Sequence, residues 1–227
     1  MRRSERLGAA LGAAGIVGNV FGVAALADVP NAYRPGTLDA WASQAVAHPA
    51  QTAASAIAFS LGLLALAGWA QAAARWVGGR LSRAAASAIA ASAVVNAAGS
   101  LAPLVLVLHV APACANGGCG PVARALLGFA LSADALFDLL LGAALVLLGA
   151  RLAARGRSRL GALGVAAGVA TLPVSLQVVS TAAAKWLAVA GPFWLLFVAW
   201  SSALMWRRKG GAFKARHAPE TPLARAS

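Results

Sequence analysis

Asp134 and Asp138 stand four residues apart in a stretch, residues 124–150, that is otherwise apolar beyond its first residue, Arg124. A spacing of four puts both carboxylates on one face of a helix, about 6 Å apart along its axis at about 1.5 Å per residue. In an apolar medium each charge costs about 2.5–3.5 kcal/mol on insertion scales. Two ionised carboxylates one turn apart also repel, so the pair needs a proton or a cationic partner. Either condition suits a proton, ion or substrate site. The plainer role is to accept hydrogen bonds from neighbouring helices and fix their register, and the sequence leaves both readings open.

Other polar residues fall unevenly. Asn19, His109, Gln177 and Lys185 map to the same end of their apolar stretches, while Asn96 lies closer to the middle of its own. If Asn19, His109, Asp134, Asp138, Gln177 and Lys185 converge, they form a polar pocket open to one side. Lys185 is the obvious counter-ion for Asp134, although its length also lets it reach headgroups. His109 is read first as a helix-end hydrogen-bonding residue.

Cys114 and Cys119, the only two cysteines, flank Ala115-Asn116-Gly117-Gly118. The glycines permit a tight turn, so a structural disulfide is expected in an oxidising compartment. A redox pair is the alternative, but the spacing is not that of a Cys-x-x-Cys centre. His48, His109, Cys114 and Cys119 could join in a metal site, yet they lack a close-spaced ligand pattern, and no metal or other cofactor is assigned. Phosphate loops, a Gly-x-Ser-x-Gly elbow and His-Glu-x-x-His are absent from the sequence, so enzymatic chemistry is not expected.

The elements that must position these residues follow from composition. Hydrophobic residues make up 60% of the 227, charged ones 11%, and mean hydropathy is +0.76. Soluble domains are about 45–50% apolar, so a water-soluble fold is excluded. A hydrocarbon core of about 30 Å needs about 20 apolar residues per helix. Six stretches qualify, at about residues 7–27, 52–74, 84–110, 124–150, 160–181 and 186–206. The expected fold is an all-α, polytopic transmembrane bundle forming one domain over residues 1–206, with a basic, disordered tail at 207–227.

A net charge of +13 would suit nucleic acid, but its placement decides otherwise. Of the 19 basic residues, 16 lie before the first span, in the second and fourth interspan loops, or in the tail, leaving Arg34, Arg124 and Lys185 for the other side. The positive-inside rule then places both termini in the cytoplasm, and the lipid bilayer, not nucleic acid, is the expected partner. The excess of arginine over lysine, with abundant alanine, suits a bacterial chain in the cell inner membrane.

Local signals refine this plan. Arg2, Arg3 and Arg6, the run to Val23 and Ala25-Leu26-Ala27 also describe a cleavable signal peptide, but the run is long and holds Asn19, so retention as a span is expected. Trp41 lies in an amphipathic stretch of the 28–50 loop suited to an interface. Pro103 should kink the third span. Trp76, Trp206 and Trp186 read as headgroup anchors. Gly8-x3-Gly12-x2-Gly15 and Gly161-x2-Gly164-x3-Gly168 would let backbones approach closely. The loops Arg75–Arg83 and Arg151–Arg159, each with a serine before its last arginine, hint at duplicated hairpins.

Asp134-x3-Asp138, Leu147-Leu148-Gly149-Ala150-Arg151 and Gly191-Pro192-Phe193-Trp194 resemble the C-terminal half of uncharacterised bacterial six-helix membrane proteins classed as domains of unknown function. That resemblance implies an all-helical inner-membrane fold and supplies no activity or catalytic residue. The expected function is a non-enzymatic accessory or interaction protein of the membrane, with a membrane-protein partner or a second copy as its contact. The alternatives are a small permease or proton-coupled carrier built on Asp134 and Asp138, and a thiol-redox protein using Cys114 and Cys119.

Overall fold

The computed structural model describes residues 3–27, 38–113, 120–180, 183 and 186–207. Among them the fold is all-helical, without strands. In chain order the helices are α1 (Arg3–Ala24), α2 (Leu38–Ala47), α3 (Pro49–Val77), α4 (Arg80–Ser100), α5 (Ala102–Val105), α6 (Ala111–Ala113), α7 (Gly120–Ala154), α8 (Ser158–Thr171) and α9 (Leu187–Arg207). A π-helical turn, Leu106–Val110, joins α5 to α6, and a 3-10 segment, Leu172–Val178, continues α8. Six helical stretches are long and apolar enough to cross a membrane: Arg3–Ala24, Pro49–Val77, Arg80–Val110, Gly120–Ala154, Ser158–Val178 and Leu187–Arg207.

Short turns make α3 and α4, and α7 and α8, antiparallel. α3 stops at Gly78, whose φ of 72° no side chain favours, and Gly79 at φ 103° starts α4 at once. Gly156, φ 77°, serves the same purpose between α7 and α8. The third span is broken where Pro103 removes a backbone donor: α4 ends at Ser100, α5 resumes at Ala102, and the widened π-turn follows. The amphipathic stretch around Trp41 is α2.

Each span packs chiefly on its neighbours in sequence: α1 on α3, α3 on α4, α4 on α7, α7 on α8, and α8 on α9. α9 then packs back on α1, closing a ring of six helices. Contacts across the ring are few. At the arginine-rich end, which holds Arg3, the 78–79 and 155–157 turns and Arg207, large side chains fill the lumen. Trp69 is fully buried there, edge-on to Phe197 with centroids 6.1 Å apart and planes at 89°. Leu66, Leu145, Leu148 and Met205 complete this plug.

Glycines set how closely the ring closes. A Cβ on Gly18 would lie 2.7 Å from the Gly62 Cα, and one on Gly149 would lie 2.5 Å from the Val165 nitrogen. Of the two glycine patterns of the sequence, Gly161, Gly164 and Gly168 form the α7–α8 seam, whereas Gly8 and Gly15 face Ala72 and Leu66 of α3 and Gly12 faces both Trp69 of α3 and Ser202 of α9. Outside the ring, Val17, Phe21, Leu61, Leu196 and Trp200 are exposed. This apolar surface among the described residues is compatible with a multi-pass membrane protein.

One expectation needs correction. Trp76 is buried in the bundle, with the Arg157 guanidinium 4.7 Å above its ring, and so is not a headgroup anchor. Trp186 and Trp206 are exposed. The two arginine-bearing turns also meet: the Arg155 and Arg151 guanidinium groups lie over Gly78 and Gly79.

The seams make a direct prediction. Gly149→Leu should destabilise the detergent-purified protein by about 1–3 kcal/mol, the usual cost of overpacking, because it meets backbone that cannot yield. Gly128→Ala should be neutral, since its new Cβ meets only the Leu38 Cδ1 at 3.8 Å. Denaturant unfolding of the two variants checks the contrast.

Candidate functional site

Beyond the aromatic plug, at the end carrying α2 and the arginine-poor loops, the lumen widens into a cavity of about 690 Å³. Its walls come from the last turns of α1, the first half of α3, the end of α4, the first half of α7, the start of α9 and the inner face of α2. Pro103 is buried in this wall, so the break in the third span borders the space.

α7 brings Asp134 and Asp138 to the cavity on one face, as their spacing dictates. Asp134 accepts hydrogen bonds on both oxygens. Asn96 Nδ2, from α4, donates to Oδ1 at 2.9 Å, and Gln177 Nε2 donates to Oδ2 at 2.8 Å. The same Gln177 nitrogen donates to Asp138 Oδ2 at 3.2 Å, one proton to each carboxylate. Asp138 is 7% exposed, and its Oδ1 has no donor among the described residues.

Local structure explains the two amides. Asn96 lies on the face of α4 that buries Ile89 and Ala93, and Ser60 Oγ fixes that helix to α3 by donating to Ala97 O at 3.0 Å. Gln177 sits in the 3-10 segment opened by Pro173. With three residues per turn, side chains at i and i+3 eclipse, so Gln177 follows buried Val174 toward the ring interior.

The remaining lining is mixed. Phe59, Phe137, Trp41 and Trp194 contribute aromatic surface, and Ser55 contributes a hydroxyl. Ser55 is 3% exposed, and its Oγ makes no hydrogen bond among the described residues. No lysine, arginine or histidine appears among the described lining residues.

Of the residues singled out from sequence, Asn19, Asp134, Asp138 and Gln177 border the one cavity. Asn19 turns its amide onto its own helix, donating to Gly15 O at 2.8 Å, and does not reach the carboxylates. His109 lies exposed on the π-turn and does not line the cavity. Lys185, Cys114 and Cys119 lie outside the described residues, so the expected counter-ion and disulfide have no structural counterpart here. Among the described residues no three His, Cys, Asp or Glu side chains gather as a metal site. Sequence reasoning underrated Asn96, although a lone amide in an alanine-rich span was a readable signal. Nothing in the sequence marked Ser55, Phe59, Phe137 or Trp194.

α2 covers the cavity with Trp41, Gln44 and Ala45 and is tied down twice. Thr52 Oγ1 donates to Ala45 O at 3.2 Å, and Arg124 clasps Asp39 through Nε–Oδ1 at 2.7 Å and Nη2–Oδ2 at 2.8 Å. This ion pair is more than half exposed.

The fold is all-helical among the described residues, with six apolar spans compatible with a multi-pass membrane protein and a pocket lined by two aspartates and four aromatic residues. No protein-family model matches the chain, and neither a curated protein nor a solved structure matches it.

The clasp carries a pH dependence. The Arg124 hydrogen bonds, helped by its charge, hold the Asp39 carboxyl below its ordinary value of 3.8. A carboxyl lowered in the folded state stabilises above its unfolded value, and that contribution is lost as the pH falls through the folded one. The distance between spin labels on exposed Ser43 of α2 and Ser132 of α7 should therefore stay short at neutral pH and lengthen only below 3.8. Arg124→Gln should broaden it already at neutral pH.

Proposed function

We propose that this chain is an integral protein of the cell inner membrane, both termini cytoplasmic, that binds a small solute in the cavity around Asp134 and Asp138. It belongs by this reading to the small permease or proton-coupled carrier class. The observation that carries it is an oxygen of the buried Asp138 carboxylate, Oδ1, left without a donor among the described residues beside a pocket of about 690 Å³. A carboxylate kept only for helix packing would be expected to find donors for both oxygens, as Asp134 does. Ligand pockets commonly span about 300–1,000 Å³, which brackets this one.

Orientation rests on charge. Of the eleven described basic residues, ten lie at the plugged end of the ring and only Arg124 at the other, so the positive-inside rule turns the plugged end to the cytoplasm and the cavity outward. The plug of Trp69 and Phe197 then separates the cavity from the cytoplasmic side.

The accessory-protein reading keeps one supporting observation. Asp134 staples three elements, α4, α7 and the 3-10 segment, and needs no ligand to do so. Asp134→Asn should accordingly cost stability, whereas Asp138→Asn should alter solute binding with the fold intact.

The test is side-specific thiol labelling in cells, with Cys114 and Cys119 replaced by serine. Ser55→Cys should react with a membrane-impermeant methanethiosulfonate added outside, and Gly156→Cys only after the membrane is opened. Failure of Ser55→Cys to react from outside, or reaction of Gly156→Cys there, would sink the outward-cavity reading.

A further inference from the structure

The cavity is furnished for one kind of solute. Resting on the reading above, we propose that it binds an amphiphilic organic monocation, such as a hydrophobic amine or an onium ion, with the charge at Asp138 and the apolar body against Phe59, Phe137, Trp41 and Trp194.

Four independent features point the same way. The site holds two carboxylates and no basic side chain among its described lining residues, a set that favours a cation over an anion. The carboxylates are unequal: Asn96 and Gln177 satisfy both oxygens of Asp134, while among the described residues Asp138 accepts on Oδ2 alone. Ser55, nine-tenths or more buried, borders the same space with a hydroxyl that has no partner among the described residues and can accept from an N–H donor. Phe59, Phe137, Trp41 and Trp194 line the same space and give apolar contact to the rest of the solute, and a ring whose face comes within about 6 Å of the charge adds a cation–π attraction.

Other cations fit poorly. A hard metal ion draws about six to eight oxygen ligands at about 2.3–2.6 Å, and a lumen this wide and apolar does not gather them. A proton alone leaves the volume and the aromatic walls without a purpose. Proton and organic cation compete for Asp138, however, because one carboxylate satisfies one positive charge. Binding of the solute therefore releases a proton whenever Asp138 is protonated beforehand, and this exchange is the elementary step of a proton-coupled carrier.

The experiment uses the full chain in mild detergent, with tetraphenylphosphonium and its anionic isostere tetraphenylborate as probes, measured by equilibrium dialysis against protein-free micelles. The expected result is saturable one-to-one uptake of the phosphonium at least tenfold tighter than of the borate. Asp138→Asn should weaken phosphonium binding at least tenfold, and Asp138→Glu should recover most of it, which separates lost charge from lost fold. Gly191→Phe, placed where an added Cβ meets nothing within 4 Å, should block the cavity to the phosphonium. If phosphonium and borate bind alike to the unaltered protein, the cation proposal is overturned and the cavity reading stands. If neither binds while Ser55→Cys is still labelled from outside, the cation proposal again falls alone. If neither binds and Ser55→Cys is unreachable, both fail together.

Discussion

Between Gly142 and Gly168, and again between Gly149 and Gly161 and Gly164, α7 and α8 touch backbone to backbone, and α1 meets α3 the same way at Gly18 and Gly62. Six apolar spans are compatible with a bilayer, and helix association there would rest on contact quality and on interhelical hydrogen bonds. Glycine seams maximise that contact and set the spacing of the ring at two places. Everything enclosed is shaped by this constraint. Where the ring holds large residues its lumen is full, with Trp69 edge-on to Phe197, and where it holds alanines, serines and a broken helix a cavity remains.

The polar cluster turns that remaining space into a site. Three amide protons, two from Gln177 and one from Asn96, are shared over four carboxylate oxygens, so one oxygen is left over by count. Burial makes the shortfall consequential, because a lone acceptor away from water needs a proton, a donor or a cation. The same hydrogen bonds hold α4, α7 and the 3-10 segment in one arrangement. Structure and candidate function are thus coupled through Asp134, while Asp138 is the member free to meet a solute.

The arginine-rich end shows a different economy of charge. Arg157 stacks on Trp76 while Arg151 and Arg155 lie against the Gly78–Gly79 turn, so these basic residues brace the turns. The resemblance between the two arginine-bearing loops takes on a physical sense there, since the loops pack on one another. A tryptophan read as an interfacial anchor becomes a buried platform because a neighbouring turn, distant in sequence, covers it.

Local and additive properties were legible in the sequence. Six spans follow from apolar length, the break near Pro103 from a missing donor, the close seams from glycines at spacings of three and four, and the shared face of Asp134 and Asp138 from helical periodicity. Helix rotation was not legible, because an apolar stretch surrounded by lipid and by other apolar helices gives little amphipathic signal about which face turns inward. Only the tertiary structure decided that Asn96 and Gln177 point at the carboxylates, that Asn19 bonds its own helix and that His109 faces away. It also decided that four aromatic side chains and Ser55 share the space with the Asp pair, since a cavity is a property of six helices at once and no single stretch of residues encodes it.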